Sequence, residues 1–203
     1  MPRPGKGDRY HHGDLRAALI DTAVELIGER GVRGFSLAEA SRRLGVAVSA
    51  PYAHFADRDD LLAAVAVRAF ELFRATLLPE MDKFADPADR LAGMARGYVR
   101  FAAHHRPLFE VLYGAGLDKV RHPEIEAAEQ PLNDAFLDTV RALADGDGTR
   151  AEDLATAVEA TARGYAMLLL DDGPDAEPDV VELAAERTAR AILALIEGRR
   201  LLG

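Results

Sequence analysis

The stretch from Phe35 to Phe55, FSLAEASRRLGVAVSAPYAHF, constrains this chain more than any other, because it reads as two short helices meeting at a tight turn. Ser36 stands at a helix N-cap with Glu39 three residues on, a capping box in which hydroxyl and carboxylate satisfy backbone N–H groups reciprocally. A helix therefore starts at Leu37. Leu37, Ala40 and Leu44 share one face, Glu39, Arg42 and Arg43 point elsewhere, and Gly45 takes the left-handed position after the helix end that costs glycine least. Val46 and Ala47 make the turn. A second short helix carries Val48, Ser49, Ala50, Tyr52 and His54 before Phe55 returns to the core. Pro51 lacks an N–H and fits only a first helical turn, so this helix starts late, with Ser49 as its cap. Such a helix can enter a DNA major groove.

A formal net charge of −9 argues against nucleic acid only if the chain is one electrostatic object. It is two. Residues 1–55 carry eight Lys/Arg against six Asp/Glu, or +2, and residues 56–203 carry seventeen against twenty-eight, or −11. Screening over roughly 8–10 Å at physiological salt lets a locally basic face bind DNA while an acidic body stays clear of it. The absence of Cys removes disulfides, thiolate metal sites and cysteine nucleophiles together. No run reaches the roughly eighteen apolar residues of a membrane helix, and the polar, basic start lacks the apolar stretch of a signal peptide. The expectation is a soluble cytoplasmic protein with no membrane partner.

Residues 1–13, with Arg3, Lys6 and Arg9, form a flexible basic arm that either follows a phosphate backbone or is a solvated tail. His11, His12 and Asp14 lie too close together to converge on a metal, so no metal site and no cofactor are expected. Asp14 caps a first helix that Gly31 ends, and Asp57 caps a long one that runs to Pro79. Further helices follow over 87–105, from Pro107 to the Gly114–Gly116 break, over 123–144 with a kink at Pro131, and over about 151–171 and 179–198. The run from Gly146 to Ala151 matches a dinucleotide fingerprint, but no strand precedes it and Asp145 and Asp147 flank its first glycine, so it is a loop. The fold class is all-α: a three-helix helix-turn-helix DNA-binding domain over 14–56, then a larger helical effector-binding and dimerisation domain over 57–203.

Gly31, Ser36, Gly45-Val46 and Tyr52-Ala53-His54-Phe55, continued by Arg58-Asp59-Asp60-Leu61-Leu62, resemble the DNA-binding domain of the tetracycline-repressor-like (TetR) family of bacterial transcription regulators. The resemblance is closest to members with a Tyr-His-His-Gly-x-Leu-Arg start, here Tyr10 to Arg16, and a C-terminal Trp-His-Gly-type domain. Pro51 replaces a usual Leu or Ile and Ala47 a usual Ser or Thr. Of the Trp-x-x-x-His-Gly pattern only Gly164 is kept, with Arg163 at the His position. The resemblance implies a homodimeric, ligand-responsive regulator, most often a repressor, that binds double-stranded DNA at a palindromic operator.

The DNA-facing candidates are Ser36, Arg42, Arg43, Val48, Ser49, Ala50, Tyr52, His54 and Arg58. Tyr52 and His54 are expected at phosphates, Arg43 and Arg58 to add charge, and Val48, Ser49 and Ala50 at base edges. For an unknown small-molecule effector, Phe101, Phe109, Leu112, Tyr113, Phe136 and Met167 form a candidate apolar pocket, or else plain core. Arg163 either receives an anionic group there or makes an exposed pair with Glu159. Leu168, Leu169, Leu195 and Ile196 are the candidate dimer interface, or else core of a monomer. The alternative function is an all-helical carrier or enzyme, yet no Glu-x-x-His, His-Glu-x-x-His or Gly-x-Ser-x-Gly motif occurs. A helical adaptor that binds protein in place of DNA is a third reading.

Overall fold

A computed structural model describes residues 12–171, 173 and 176–198, with side chains from Leu15 onward. Apart from the backbone of His12 and Gly13, the expected basic arm lies outside the described residues, as does the Asp14 side chain. The described residues hold eight α-helices, α1 (His12–Arg30), α2 (Leu37–Leu44), α3 (Arg58–Met81), α4 (Pro87–His104), α5 (Arg106–Gly114), α6 (Pro123–Leu143), α7 (Gly148–Asp171) and α8 (Pro178–Glu197). Two 3-10 turns, Val32–Gly34 and Ala50–Ala53, flank α2. No strand occurs among these residues.

Side-chain caps set the starts of α2, α3 and α4. The Asp57 carboxylate accepts from the N–H groups of Asp59 and Asp60 at 2.9 and 3.0 Å and starts α3. Asp86 does the same for α4, whose first residue is Pro87. Two expected boundaries move. Asp14 lies within α1, which is already helical at His12, and α3 runs through Pro79 to Met81. Pro79 falls in the last turn, and beyond it the Asp82 N–H still reaches the Leu78 carbonyl at 2.9 Å.

Helix α4 is the hub, packing against α3, α5, α6, α7 and α8. Its close approach to α3 needs Gly93, where an added Cβ would lie 2.4 Å from the Glu80 carbonyl oxygen. On its other side, Arg96 and Arg100 make two-pronged ion pairs with Glu186 and Glu182 of α8 at 2.6–3.2 Å. Those arginines hold both carboxyls below the usual carboxylate range, so the pairs favour the fold above that range and lose effect as pH falls through the lowered values. The core is continuous from Leu19 and Leu26 of α1 through Leu61, Phe73 and Leu77 of α3 to Phe101, Ala162 and Leu170. A smaller cluster joins Val99 to Leu169, Val181 and Ala185.

Gly93→Ala should lower the melting temperature, because backbone must move to admit the methyl group, a strain of about 1–3 kcal/mol. Gly97→Ala, whose Cβ would meet nothing closer than 3.3 Å, should cost less. Thermal denaturation of the two variants checks the ranking.

Candidate nucleic-acid interface and internal cavity

The second element of the helix-turn-helix is shorter than its sequence suggests. Gly45 ends α2 in the left-handed conformation at φ 69°, and the chain turns through Val46 and Ala47. The Ala47 carbonyl then accepts the Ala50 N–H at 2.9 Å, and Pro51 O accepts from both His54 and Phe55. Ser49 is helical and makes no side-chain cap bond, which corrects its expected capping role. Pro51 is buried under a 3-10 turn that leaves Val48, Ser49, Tyr52 and Ala53 exposed. Ala50 is half-buried. His54 is also half-buried and lines a groove with Arg16, Asp60 and Arg121, on the side of α1 and α3.

The candidate cations are already engaged within the chain. Arg43 makes a two-pronged pair with Glu29 of α1 at 2.6 and 2.7 Å, and Arg42 pairs with Glu39. Ser36 caps α2 by accepting the Glu39 N–H at 3.2 Å, but the Glu39 carboxylate pairs with Arg30 and Arg42 in place of closing the expected capping box. Arg58 lies 4.7 Å over the Phe35 ring and donates to the Phe35 and Val32 carbonyls. It braces the turn before α2. The rims of this face keep exposed Arg33, Arg42 and Tyr52.

Deeper in the molecule, α3, α4, α6 and α7 surround a cavity of about 430 Å³. Phe70, Phe73, Tyr98 and Phe136 make most of its aromatic wall, and Leu112, Tyr113, Lys119, Glu129, Glu159 and Arg163 also line it. Four of the sequence candidates, Leu112, Tyr113, Phe136 and Arg163, therefore meet at one cavity. Phe101 and Phe109 do not line it. They are fully buried, Phe101 against Phe73 at 4.8 Å and Phe109 against Tyr98 at 5.6 Å. Met167 is exposed on α7, on the outside of the bundle. Arg163 makes the expected pair with Glu159 at 2.5 Å and, in addition, stacks 4.1 Å over the Tyr113 ring at the cavity wall.

A helix-turn-helix at one end and a walled cavity at the other match two family models in order. The model for bacterial regulatory proteins of the tetR family fits residues 19–65, and that for a tetracyclin repressor-like C-terminal domain fits residues 91–192, half of the chain. The chain belongs to the TetR family. It is therefore a DNA-binding transcription regulator. A solved protein of unknown function from Rhodococcus sp. RHA1 is 30% identical, with a TM-score of 0.72 over 92% of this chain and 97% of that one. A tetR-family regulatory protein from Rhodococcus RHA1 shares the fold at a TM-score of 0.73 and 17% identity, covering 90% and 96% of the two chains. An uncharacterized HTH-type transcriptional regulator of Bacillus subtilis (strain 168), YobS, is 27% identical over 177 residues, 84% of this chain and 86% of its own.

Within this TetR-family protein, the cavity residues missed from sequence include the aromatic wall on α3 and α4. Phe70, Phe73 and Tyr98 carry the same helical spacing as plain core, and only the arrangement of helices tells a cavity wall from a filled one. Among the described residues no cluster of His, Asp and Glu is arranged to hold a metal, and no helix is long and apolar enough to cross a membrane.

Tyr52→Ala should weaken DNA binding with no loss of melting temperature, since the side chain is mostly exposed. Arg58→Ala should do the reverse in mechanism: the fold loses about 1–3 kcal/mol from unpaired carbonyls, and the slope of log affinity against log salt stays as in wild type. Melting curves and binding isotherms at several salt concentrations separate the two.

Proposed function

We propose that this regulator is a ligand-responsive repressor that binds a palindromic operator as a homodimer in the cytoplasm and is released by a small molecule held in the 430 Å³ cavity. The observation that carries the proposal is α3. Its first turn follows the DNA-reading turn directly, and its middle, at Ala66, Phe70 and Phe73, walls the cavity. Val48, Ser49 and Ala50 meet base edges, and Tyr52 meets a phosphate. With Arg43 and Arg58 occupied inside the protein, the phosphate charge falls to Arg42 and Arg33, helped by the basic arm.

A lone reading turn requires a second copy, because half-sites one helical turn apart need two such elements held about 34–36 Å apart. The expected interface residues divide. Leu169 and Ile196 are buried in the protomer's own core, so they are not the contact surface, while Leu195 is half-buried. The outer face is formed instead by Leu168, 67% exposed, with Met167 beside it and Val180 and Leu183 on α8. Gly164 on the same helix opens to empty space, with nothing within 4 Å of an added Cβ. An unfilled glycine inside a helix costs about 0.5–1 kcal/mol against alanine and suits close approach by a partner helix.

Leu168→Asp combined with Leu183→Asp should yield a folded monomer by sedimentation, because both side chains are exposed within the protomer and an unpaired charge is costly only in an interface. Operator affinity should fall at least tenfold. A double variant that stays dimeric, or a wild type monomeric at micromolar concentration, would overturn the interface. Genomic fragment selection with wild-type protein supplies the operator and tests the repressor reading itself.

A further inference from the structure

The charges that line the cavity, Lys119 and Arg163 against Glu129 and Glu159, balance, but its hydrogen-bonding groups do not. At one side Lys119 pairs with Glu129, and each satisfies the other. At the other side Glu159 takes one terminal nitrogen of Arg163, and the Tyr113 ring supports the guanidinium plane. Two polar atoms lack a hydrogen bond of normal geometry, the Tyr98 hydroxyl oxygen and Arg163 Nε; both are shielded from solvent, and the hydroxyl lies near enough to Tyr113 and to the Arg163 guanidinium to feel both. Tyr98 is 5% exposed and lines the cavity. A buried polar atom left unpaired costs about 1–3 kcal/mol, so two of them on one wall call for an occupant.

Their chemistry selects the occupant. Arg163 Nε can only donate. The Tyr98 hydroxyl is kept protonated, its pKa pushed up by burial first and by the neighbouring Tyr113, so it too offers a proton. Two donors, one of them on a fixed cation, match an acceptor that carries negative charge. The remaining walls, Phe70, Phe73, Met94, Leu132 and Phe136, offer only apolar surface. We infer that the cavity binds an amphipathic carboxylate, with its acid group between the Tyr98 hydroxyl and Arg163 Nε and its apolar body against the aromatic wall. This rests on the reading of the cavity as the effector site. A cation finds no equivalent there, because neither Glu129 nor Glu159, each paired within the protein, presents a buried unpaired oxygen.

Titration calorimetry with matched probes tests the assignment: decanoate and 4-phenylbutyrate, the corresponding alcohols, and decyltrimethylammonium. The acids should bind wild type tighter than their alcohols by about tenfold or more, as expected for a charge-assisted pair. Arg163→Leu should remove that preference while leaving alcohol binding within about twofold, Arg163→Lys should restore part of it, and Tyr98→Phe should weaken the acids alone. Acids that bind Arg163→Leu as well as wild type, or alcohols and ammonium that bind as tightly as acids, would overturn the carboxylate while leaving the cavity a ligand site. Asn133→Trp, at an exposed position on the cavity lining, separates the underlying reading. Binding of every probe unaffected by this plug, or no binding by any probe, would overturn the cavity as the effector site as well.

Discussion

The structure depends on one helix being shared between two tasks. Helix α3, with 24 residues, is about 36 Å long, and its buried residues Leu61, Leu62, Val65, Ala69, Phe73, Leu77 and Met81 fall at helical spacing along its whole length. The first of these close the core beneath α1 and α2, and the later ones pack on α4 and α6. Because the core runs through without a break, the DNA-reading turn is fixed to the body by apolar packing and not by a linker. A displacement of the body end of α3 is therefore felt at Asp57 and Phe55. Interiors packed to crystal density transmit such shifts.

The same economy explains how the arginines are used. Arg43, Arg58 and Arg121 all sit near the reading turn, yet each is held by groups of the protein itself, Arg43 by Glu29, Arg58 by backbone carbonyls and the Phe35 ring, Arg121 by Asp57 and Asp60. They set the pose of the turn more than they set its charge. Under the proposed function, contact with DNA is left to a small exposed surface in which the short side chains of Val48 and Ser49 permit close approach to base edges, with Tyr52, Arg33 and Arg42 around it.

Local features were legible from sequence, and pairings across the fold were not. The Ser36 and Asp57 caps, the left-handed Gly45 and the proline-led starts of α4 and α6 follow from residues within one turn of each other. The destination of Arg58 depends on Val32, twenty-six residues away, and no local rule finds it. The same limit misplaced Leu169 and Ile196. On a helix, neighbours in sequence point about 100° apart. Leu168 and Leu169 therefore face opposite environments, and an apolar stripe alone does not say which side meets the protomer's own core. Phe101 and Phe109 were indistinguishable from Phe136 for a similar reason, since a wall of a cavity and a filled core use the same residues.

The segment between α5 and α6 joins the cavity to the reading turn by a second route. Ala115, Gly116, Leu117 and Lys119 line the cavity, with Gly116 at φ 60° turning the chain out of α5. Asp118 then accepts the Val120 N–H at 2.9 Å, and Arg121 reaches Asp57 and Asp60 at 2.5 and 3.0 Å. Asp57 is the cap of α3, and the Arg121 hydrogen bond, with the Asp60 and Asp59 amides, holds its carboxyl below the usual range. Exposed ion pairs of this kind contribute little to stability, with a median of about 0–1 kcal/mol. Low stability suits a switch. A ligand changes an equilibrium only by its differential affinity for two conformations, and a contact worth about one kcal/mol already shifts their ratio roughly fivefold. Under the proposed effector role, an occupant that presses Leu117 would act on a short tether ending at the α3 cap. Packing along α3 and this tether thus converge on Asp57, the cap of the helix that follows the reading turn.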